Sequence, residues 1–371
     1  MDVVPISYSW LTYFETEKKD KMEQQNTYTI IGGGGFLGQH LVHLLLNQER
    51  EANSSLRIKI IDKASKLKLI YPENFSNKQV ELYLGVDISE NDNLSKIFMG
   101  SNTIFHLAAA IAYGRKNKDY LNSTNVKGVK NIIKHAKLAF VKKIVYVSSF
   151  ATLGCLDQKD KTKKATENCM NNWKKDNFCY YGLSKFCGEQ LIMEAHENEN
   201  HLCTAVAIPG LLLGPGHCCP AGNMPFDIAL RKKWSLVPQG GSNYIDVRDV
   251  AAGLVALAEH KHISGKYLLV SHNLEHRDLL QKIADLAGRK LWLTEIPKFL
   301  HHLIAPVFSF LEWILSKQSP YSKEGVLKAF KYRYFSHQKA ANDLGWIPQY
   351  SLEDTLLDTM NWLNKKRKHE E

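Results

Sequence analysis

The chain has 371 residues, 44% of them hydrophobic and 23% charged, with a formal net charge of +10. That apolar fraction excludes an intrinsically disordered chain, and 11 Pro and 23 Gly exclude collagen-like and low-complexity classes. Seven Cys, an odd number without any C-x-x-C spacing, argue against both a disulfide scaffold and a zinc ribbon; no metal site and a reducing, cytosolic compartment are expected.

The positive charge is diffuse. Lys159, Lys161, Lys163 and Lys164 alternate with Asp157, Asp160 and Glu167, and Lys365, Lys366, Arg367 and Lys368 are followed by Glu370 and Glu371. No aromatic residues interleave with these runs, so no nucleic-acid partner is expected. Residues 1–26 read as an N-terminal extension without the basic start and small-residue cleavage site of a signal peptide.

From Tyr28 onward, short β-branched runs alternate with segments of helical length. Strands are expected at Tyr28–Ile31, Arg57–Asp62, Val80–Val86, Thr103–Leu107, Lys143–Val147 and Leu202–Ile208. Helical spacing marks Leu37–Leu46, Tyr120–Phe140 and Tyr181–His196. Such alternation gives a parallel sheet with helices on both faces. After residue 210 the alternation loosens, with breaks at Gly214-Pro215-Gly216 and Gln239-Gly240-Gly241, where a substrate lobe would be assembled. Phe299–Leu315 is apolar but carries His301, His302, Pro306 and Glu312, too polar and short to span a bilayer. It reads as a core helix, with peripheral membrane contact as the sharper alternative.

The most informative passage is Ile30-Ile31-Gly32-Gly33-Gly34-Gly35-Phe36-Leu37-Gly38, set between a strand and a helix. Gly32 permits the tight turn, Gly35 lets backbone approach a pyrophosphate, and Gly38 lets the helix pack closely. The helix N-terminus then offers N–H groups and partial positive charge to phosphates. Asp62 closes the second strand, where a carboxylate accepts the adenosine ribose hydroxyls and repels a 2′-phosphate. NAD is therefore favoured, although Lys63 keeps NADP open. Asp87-Ile88 follows the third strand, and the small residues after Leu107 would let a cofactor lie across the sheet edge. His106 reads as a satisfied core histidine.

Tyr181 and Lys185 stand four apart on one helix face. A tyrosine of ordinary pKa is a poor acid–base catalyst at neutral pH, and a nearby cation favours its phenolate. Ser149 ends the fifth strand and could hydrogen-bond a substrate carbonyl opposite Tyr181; Ser148 and Ser149 could equally be turn residues.

Together, Gly32/Gly35/Gly38, Asp87, Asn125-Val-Lys-Gly128, Ser149 and Tyr181-x-x-x-Lys185 resemble an extended short-chain dehydrogenase/reductase of the NAD-dependent epimerase/dehydratase superfamily. The resemblance runs over residues 27–365. Ile208-Pro209-Gly210, Asn243-Tyr-Ile-Asp-Val-Arg-Asp249 and Leu344-Gly345-Trp346 place it nearest the dihydroflavonol-reductase-like and 3β-hydroxysteroid dehydrogenase branch. It implies an α/β Rossmann fold, a doubly wound parallel sheet over 27–210, with a smaller C-terminal substrate lobe mainly over 211–365 and a tail at 366–371. Tyr181 would be the general acid–base, Lys185 would bind the nicotinamide ribose, Ser149 would polarise the carbonyl, and Asn125 would hold its helix in place. Cofactor contacts would come from Gly32, Gly35, Phe36, Leu37, Gly38, Asp62, Asp87, Ile88, Leu107, Ala108, Ala109, Tyr181, Lys185, Pro209, Gly210 and Leu211. A homodimer is an open expectation.

Three departures bear on substrate. Ile31 replaces the family's opening Thr, and Ile208 and Ser242 stand where nucleotide-sugar members usually carry Arg. An arginine fork is the natural ligand for a diphosphate. Its loss favours an apolar hydroxy or keto substrate, such as a steroid, isoprenoid or flavonoid-like molecule. A nucleotide-sugar epimerase or dehydratase holding NAD tightly remains the alternative. A non-enzymatic dinucleotide sensor is disfavoured by the Tyr–Lys pair.

Overall fold

The computed structural model describes residues 26–52, 56–112, 114–154, 163–169, 179–197, 201–216, 220–260, 262–300 and 323–370. The first half runs β1 (Asn26–Ile31), α1 (Phe36–Ala52), β2 (Leu56–Asp62), β3 (Val80–Leu84), β4 (Thr103–His106), α2 (Gly128–Leu138), β5 (Lys143–Val147), α3 (Tyr180–Glu197) and β6 (Cys203–Pro209). The second half runs β7 (Leu211–Leu213), α4 (Pro220–Arg231), β8 (Trp234–Pro238), β9 (Gly241–Asp246), α5 (Val247–Glu259), β10 (Gly265–Leu269), β11 (His272–Glu275), α6 (His276–Leu286), β12 (Trp292–Ile296), α7 (Gln338–Leu344) and α8 (Leu352–Glu370).

The large sheet has the order β3-β2-β1-β4-β5-β6-β10, all parallel. The order reverses beside β1, which opens a crevice between the C-terminal ends of β1 and β4. Both faces of the sheet are covered, so alternate residues of each strand enter different cores. Ile30, Ile60, Phe105 and Val145 pack with Leu41 of α1 and Leu254 of α5. Their neighbours Ile31, Ile61, Ile104 and Ile144 pack with Ile132 of α2 and Ile192 of α3. This two-sided burial is why the strands read as continuous apolar runs.

All six predicted strands are present, with ends shifted by two residues at most. After residue 210 the chain returns to the large sheet: β10 pairs with β6 as the seventh strand, and α5 packs in its core. The smaller lobe combines β11-β9-β7 with the parallel pair β12-β8. Phe226, Leu280, Ile283, Leu356 and Met360 form its separate core.

The expected single helix over Tyr120–Phe140 is a correction. A helical turn at Lys118–Asn122 passes into a π-helical segment at Ser123–Lys127 before α2 begins. The wider turn sends Asn125 inward, where its side chain finds three hydrogen bonds. Phe299–Leu315 lies, beyond Leu300, outside the described residues, as do 155–162 with Lys159 and Lys161. Among the described residues no helix is long and apolar enough to cross a membrane, and no group of His, Cys, Asp and Glu could hold a metal ion.

Candidate active site

The parallel strands deliver the predicted residues to one edge. Ile31, Asp62, His106, Val147 and Pro209 all stand at or next to the C-terminal ends of their strands. The glycine loop turns immediately after β1. Gly32 has φ +83° and its N–H donates to Ile61 O at 2.7 Å. A Cβ at Gly32 would lie 2.8 Å from Ala108 N, and one at Gly38 would lie 2.4 Å from Gly32 O. Any side chain at either position would push β4 or α1 away from the loop. Gly35 is exposed at the rim, and the first turn of α1, with Phe36 and Leu37, carries no acidic residue. A bare backbone cradle opening on a helix N-terminus without a competing carboxylate fits a dinucleotide pyrophosphate.

Asp62 accepts from Gly34 N at 3.1 Å and Ala64 N at 3.0 Å, which holds its carboxylate against the loop. Lys63 turns to Asp87, with Nζ 2.6 Å from Oδ2. Asp87 also accepts from the N–H and hydroxyl of Ser89, at 2.9 and 2.7 Å. Burial works against the Asp87 carboxylate's charge, yet the Lys63 and Ser89 bonds hold its pKa below the ordinary value. Ile88 beyond it is buried beneath Gly128. Leu107 and Ala108 both donate backbone N–H to Ile31 O at 2.9 Å, so β4, with Ala109 following, closes on the glycine turn. Gly210 donates to Leu269 O at 3.0 Å, and a Cβ there would meet Asn243 Oδ1 at 2.4 Å. Pro209 and Leu211 thereby mark the step from the large sheet to β7.

Tyr181 is half-buried on the first turn of α3, packed beside Ala110, Ala112 and Leu121. Its carbonyl accepts from Ser184 Oγ at 2.8 Å, and Ser184 in turn accepts from Asn125 Nδ2 at 2.9 Å. Asn125 also bonds Ala110 twice, accepting from N at 2.8 Å and donating to O at 3.0 Å. The π segment is therefore a strut between the end of β4 and the start of α3. Ser149 opens the short helical turn Phe150–Thr152 and accepts from Ala151 N at 3.2 Å.

Lys185 is 1% exposed, and its ammonium donates to Val147 O at 2.7 Å with the Tyr146 ring 4.2 Å away. Burial pushes its pKa down to about 7, against the pull of Glu189. His106 is buried as expected, but it is not satisfied: neither ring nitrogen has a hydrogen-bond partner among the described residues. Burial, reinforced by the Lys185 charge, lowers its pKa to about 3, so it stays neutral beside that cation.

One supporting residue went unread in the sequence. Glu189, fully buried on α3, accepts from Ser148 Oγ, from Thr152 Oγ1 at 2.7 Å and from Lys266 Nζ at 2.7 Å. It brackets Ser149 from both sides and ties that turn to the helix bearing Tyr181 and Lys185. Its place four residues beyond Lys185, on the same helix face, was the available signal.

Sequence and structure comparisons relate the whole chain to known proteins. A mouse protein named sterol-4-alpha-carboxylate 3-dehydrogenase, decarboxylating, is 25% identical, covering 92% of this chain and 91% of its own length. A Synechocystis protein provisionally named as a dihydroflavonol 4-reductase is 27% identical over 90% of this chain and 94% of its own. The fold matches UDP-glucose 4-epimerase from Bifidobacterium longum, solved with NAD+ and UDP, with TM-score 0.71 and 20% identity, over 92% of this chain and 99% of that one. Residues 29–258, more than half of the sequence, match the model of a single family. The chain belongs to the 3-beta hydroxysteroid dehydrogenase/isomerase family and is an oxidoreductase of that group.

Proposed function

We propose that the protein is an NAD-dependent dehydrogenase that interconverts a secondary alcohol and a ketone on an apolar hydroxy or keto substrate. The carrying observation is Tyr181 and Lys185 on one turn of α3, tied through Glu189 to the turn that presents Ser149. In this reading Tyr181 Oη takes the alcohol proton during oxidation and returns it during reduction. Lys185, still protonated below about pH 7, holds positive charge in a dry site and favours the phenolate. Ser149 Oγ donates to the substrate oxygen and fixes its direction. Bound NAD supplies the hydride acceptor. Gly32–Gly38 would hold its pyrophosphate and Asp62 its adenosine ribose, with Lys63 engaged by Asp87 rather than offered to a 2′-phosphate.

An apolar substrate is supported by the absence of an arginine fork: Ser242, buried in β9, and Ile208, buried in β6, stand where the resemblance puts the arginines of nucleotide-sugar members. Ile111 and Leu211 stand exposed just beyond β4 and β6. The test is NADH formation from NAD+ with a 3β-hydroxysteroid probe, run beside UDP-glucose. Steroid-dependent NADH supports the reading. Turnover of UDP-glucose with NAD retained on the protein would assign it to the epimerase type instead.

A further inference from the structure

The smaller lobe carries an apolar face that nothing among the described residues covers. β8 and β12 pair in parallel, with Trp234 opposite Trp292, Leu236 opposite Thr294 and Pro238 opposite Ile296. Paired residues of neighbouring strands project to the same side. The indole Nε1 of Trp234 donates to Thr294 Oγ1 at 2.9 Å, which fixes these side chains on one surface. The alternate residues Ser235 and Val237 are buried against the lobe, and Glu295 lies on that inward side with Arg277 and Gln239. Outward, Trp234 is 53% exposed, Leu236 50%, Trp292 72%, and Phe299 just past the strand 72%.

Parallel pairing also decides where charge falls. Arg231, Lys232 and Lys233 directly precede β8, while Arg289 and Lys290 precede β12 by one buried leucine. Because both strands start at the same end, the two exposed basic runs lie side by side there, next to the tryptophan pair. The only ion pair this group makes among the described residues is Arg231 with Asp227 at 3.4 Å. The face itself, residues 234, 236, 238, 292, 294 and 296, contains no carboxylate.

We infer that the β8/β12 face docks the substrate lobe onto an anionic lipid surface. Tryptophan sits favourably at the headgroup level, where its ring is apolar and its N–H remains hydrogen-bonded. Clustered Lys and Arg draw the face to acidic headgroups, and that attraction weakens with salt. An exposed apolar patch bordered at one end by basic residues is unusual on a protein that meets only water. The inference stands apart from the dehydrogenase reading, because it concerns a face built from the other lobe.

The test is flotation of the full chain with phosphatidylcholine vesicles, with and without phosphatidylglycerol, at low and high salt. Two variants address the face: Trp234→Ser with Trp292→Ser, and Lys232→Glu with Lys233→Glu and Lys290→Glu. A third, with Lys365, Lys366, Arg367 and Lys368 changed to Gln, is the control for a general basic tail. Expected is salt-sensitive binding to anionic vesicles only, falling at least about tenfold in each face variant and kept in the tail variant. Melting temperature and NAD binding should stay at wild-type values in all three. Absence of wild-type binding to anionic vesicles overturns the inference, as does binding that only the tail variant loses. Face variants that alter only the oligomeric state would make this a protein–protein contact and overturn it equally.

Discussion

Lys185 puts a cation where water cannot reach it. Burial sets its folded pKa near 7, against 10.5 for the free side chain. The folded state therefore binds fewer protons than the unfolded chain between those values, and stability contributed at this site rises with pH across that window. The cost is fully present below about pH 7 and amounts to at most about 5 kcal/mol. Lys185→Met should abolish turnover yet raise the melting temperature of the cofactor-free protein at pH 6, with the gain shrinking toward pH 9. A lower melting temperature at pH 6 would contradict that burial cost. Tyr181→Phe removes only the phenol, so turnover should fall at least about 10²-fold while NAD affinity barely moves. Steady-state kinetics beside NAD titration separate the two effects. Asp62→Ala should narrow the preference for NAD over NADP, read as the ratio of the two dissociation constants. A wild type that binds NADP tenfold better would transfer that role to Lys63.

At the scale of elements, the site is held by two struts reaching α3. Asn125 joins it to the end of β4, and Glu189 joins it to the turn after β5. A Cβ at Gly188 would meet Tyr146 Oη at 2.6 Å and Asn125 O at 2.9 Å, so α3 sits as close as backbone allows. Glu189→Leu would strand the Lys266 charge and the Ser148 hydroxyl, while Thr152 keeps its bond to Ser149 O at 2.9 Å. A loss of about 3 kcal/mol is expected, moderated because Lys266 keeps some solvent. Adding Lys266→Met should recover much of it, since removing both charges leaves no uncompensated ion. Urea unfolding of both variants measures this directly, and a double variant as unstable as the single one would argue against the ion pair as cause.

Across the whole molecule, the C-terminal segment closes the sheet after a long excursion. Asp249 of α5 accepts from Gln349 N at 2.8 Å and Tyr350 N at 3.2 Å, and Trp346 Nε1 donates to Asp249 O at 3.1 Å. Trp346 is buried in the core that also holds Ile30, Ile58 and Leu269. Trp346→Ala should cost about 3–5 kcal/mol, visible as a lowered urea midpoint. An unchanged midpoint would mean that α7 and α8 are dispensable to the sheet.

Much of this was legible in the order of residues. The strand runs, the glycine spacing and the Tyr181–Lys185 interval each depend on periodicity within one element, which the chain dictates locally. Two-sided burial of the sheet was written in Ile30-Ile31 and Ile60-Ile61, because each neighbour must face a different core. Contacts between distant segments were not legible. The π turn at Asn125 exists because Ala110 and Ser184 are waiting for its amide, and no local propensity records partners 15 and 59 residues away. The return of β10 to the large sheet, the bracketing of Ser149 by Glu189, the His106 nitrogens left without partners among the described residues and the alignment of two basic runs beside Trp234 and Trp292 likewise arise from register between elements. Sequence alone determined the six strands of the first half and pointed to the side chains proposed to carry the chemistry. Only the tertiary structure decided what those side chains touch, because burial and hydrogen bonding are set by neighbours in space rather than along the chain.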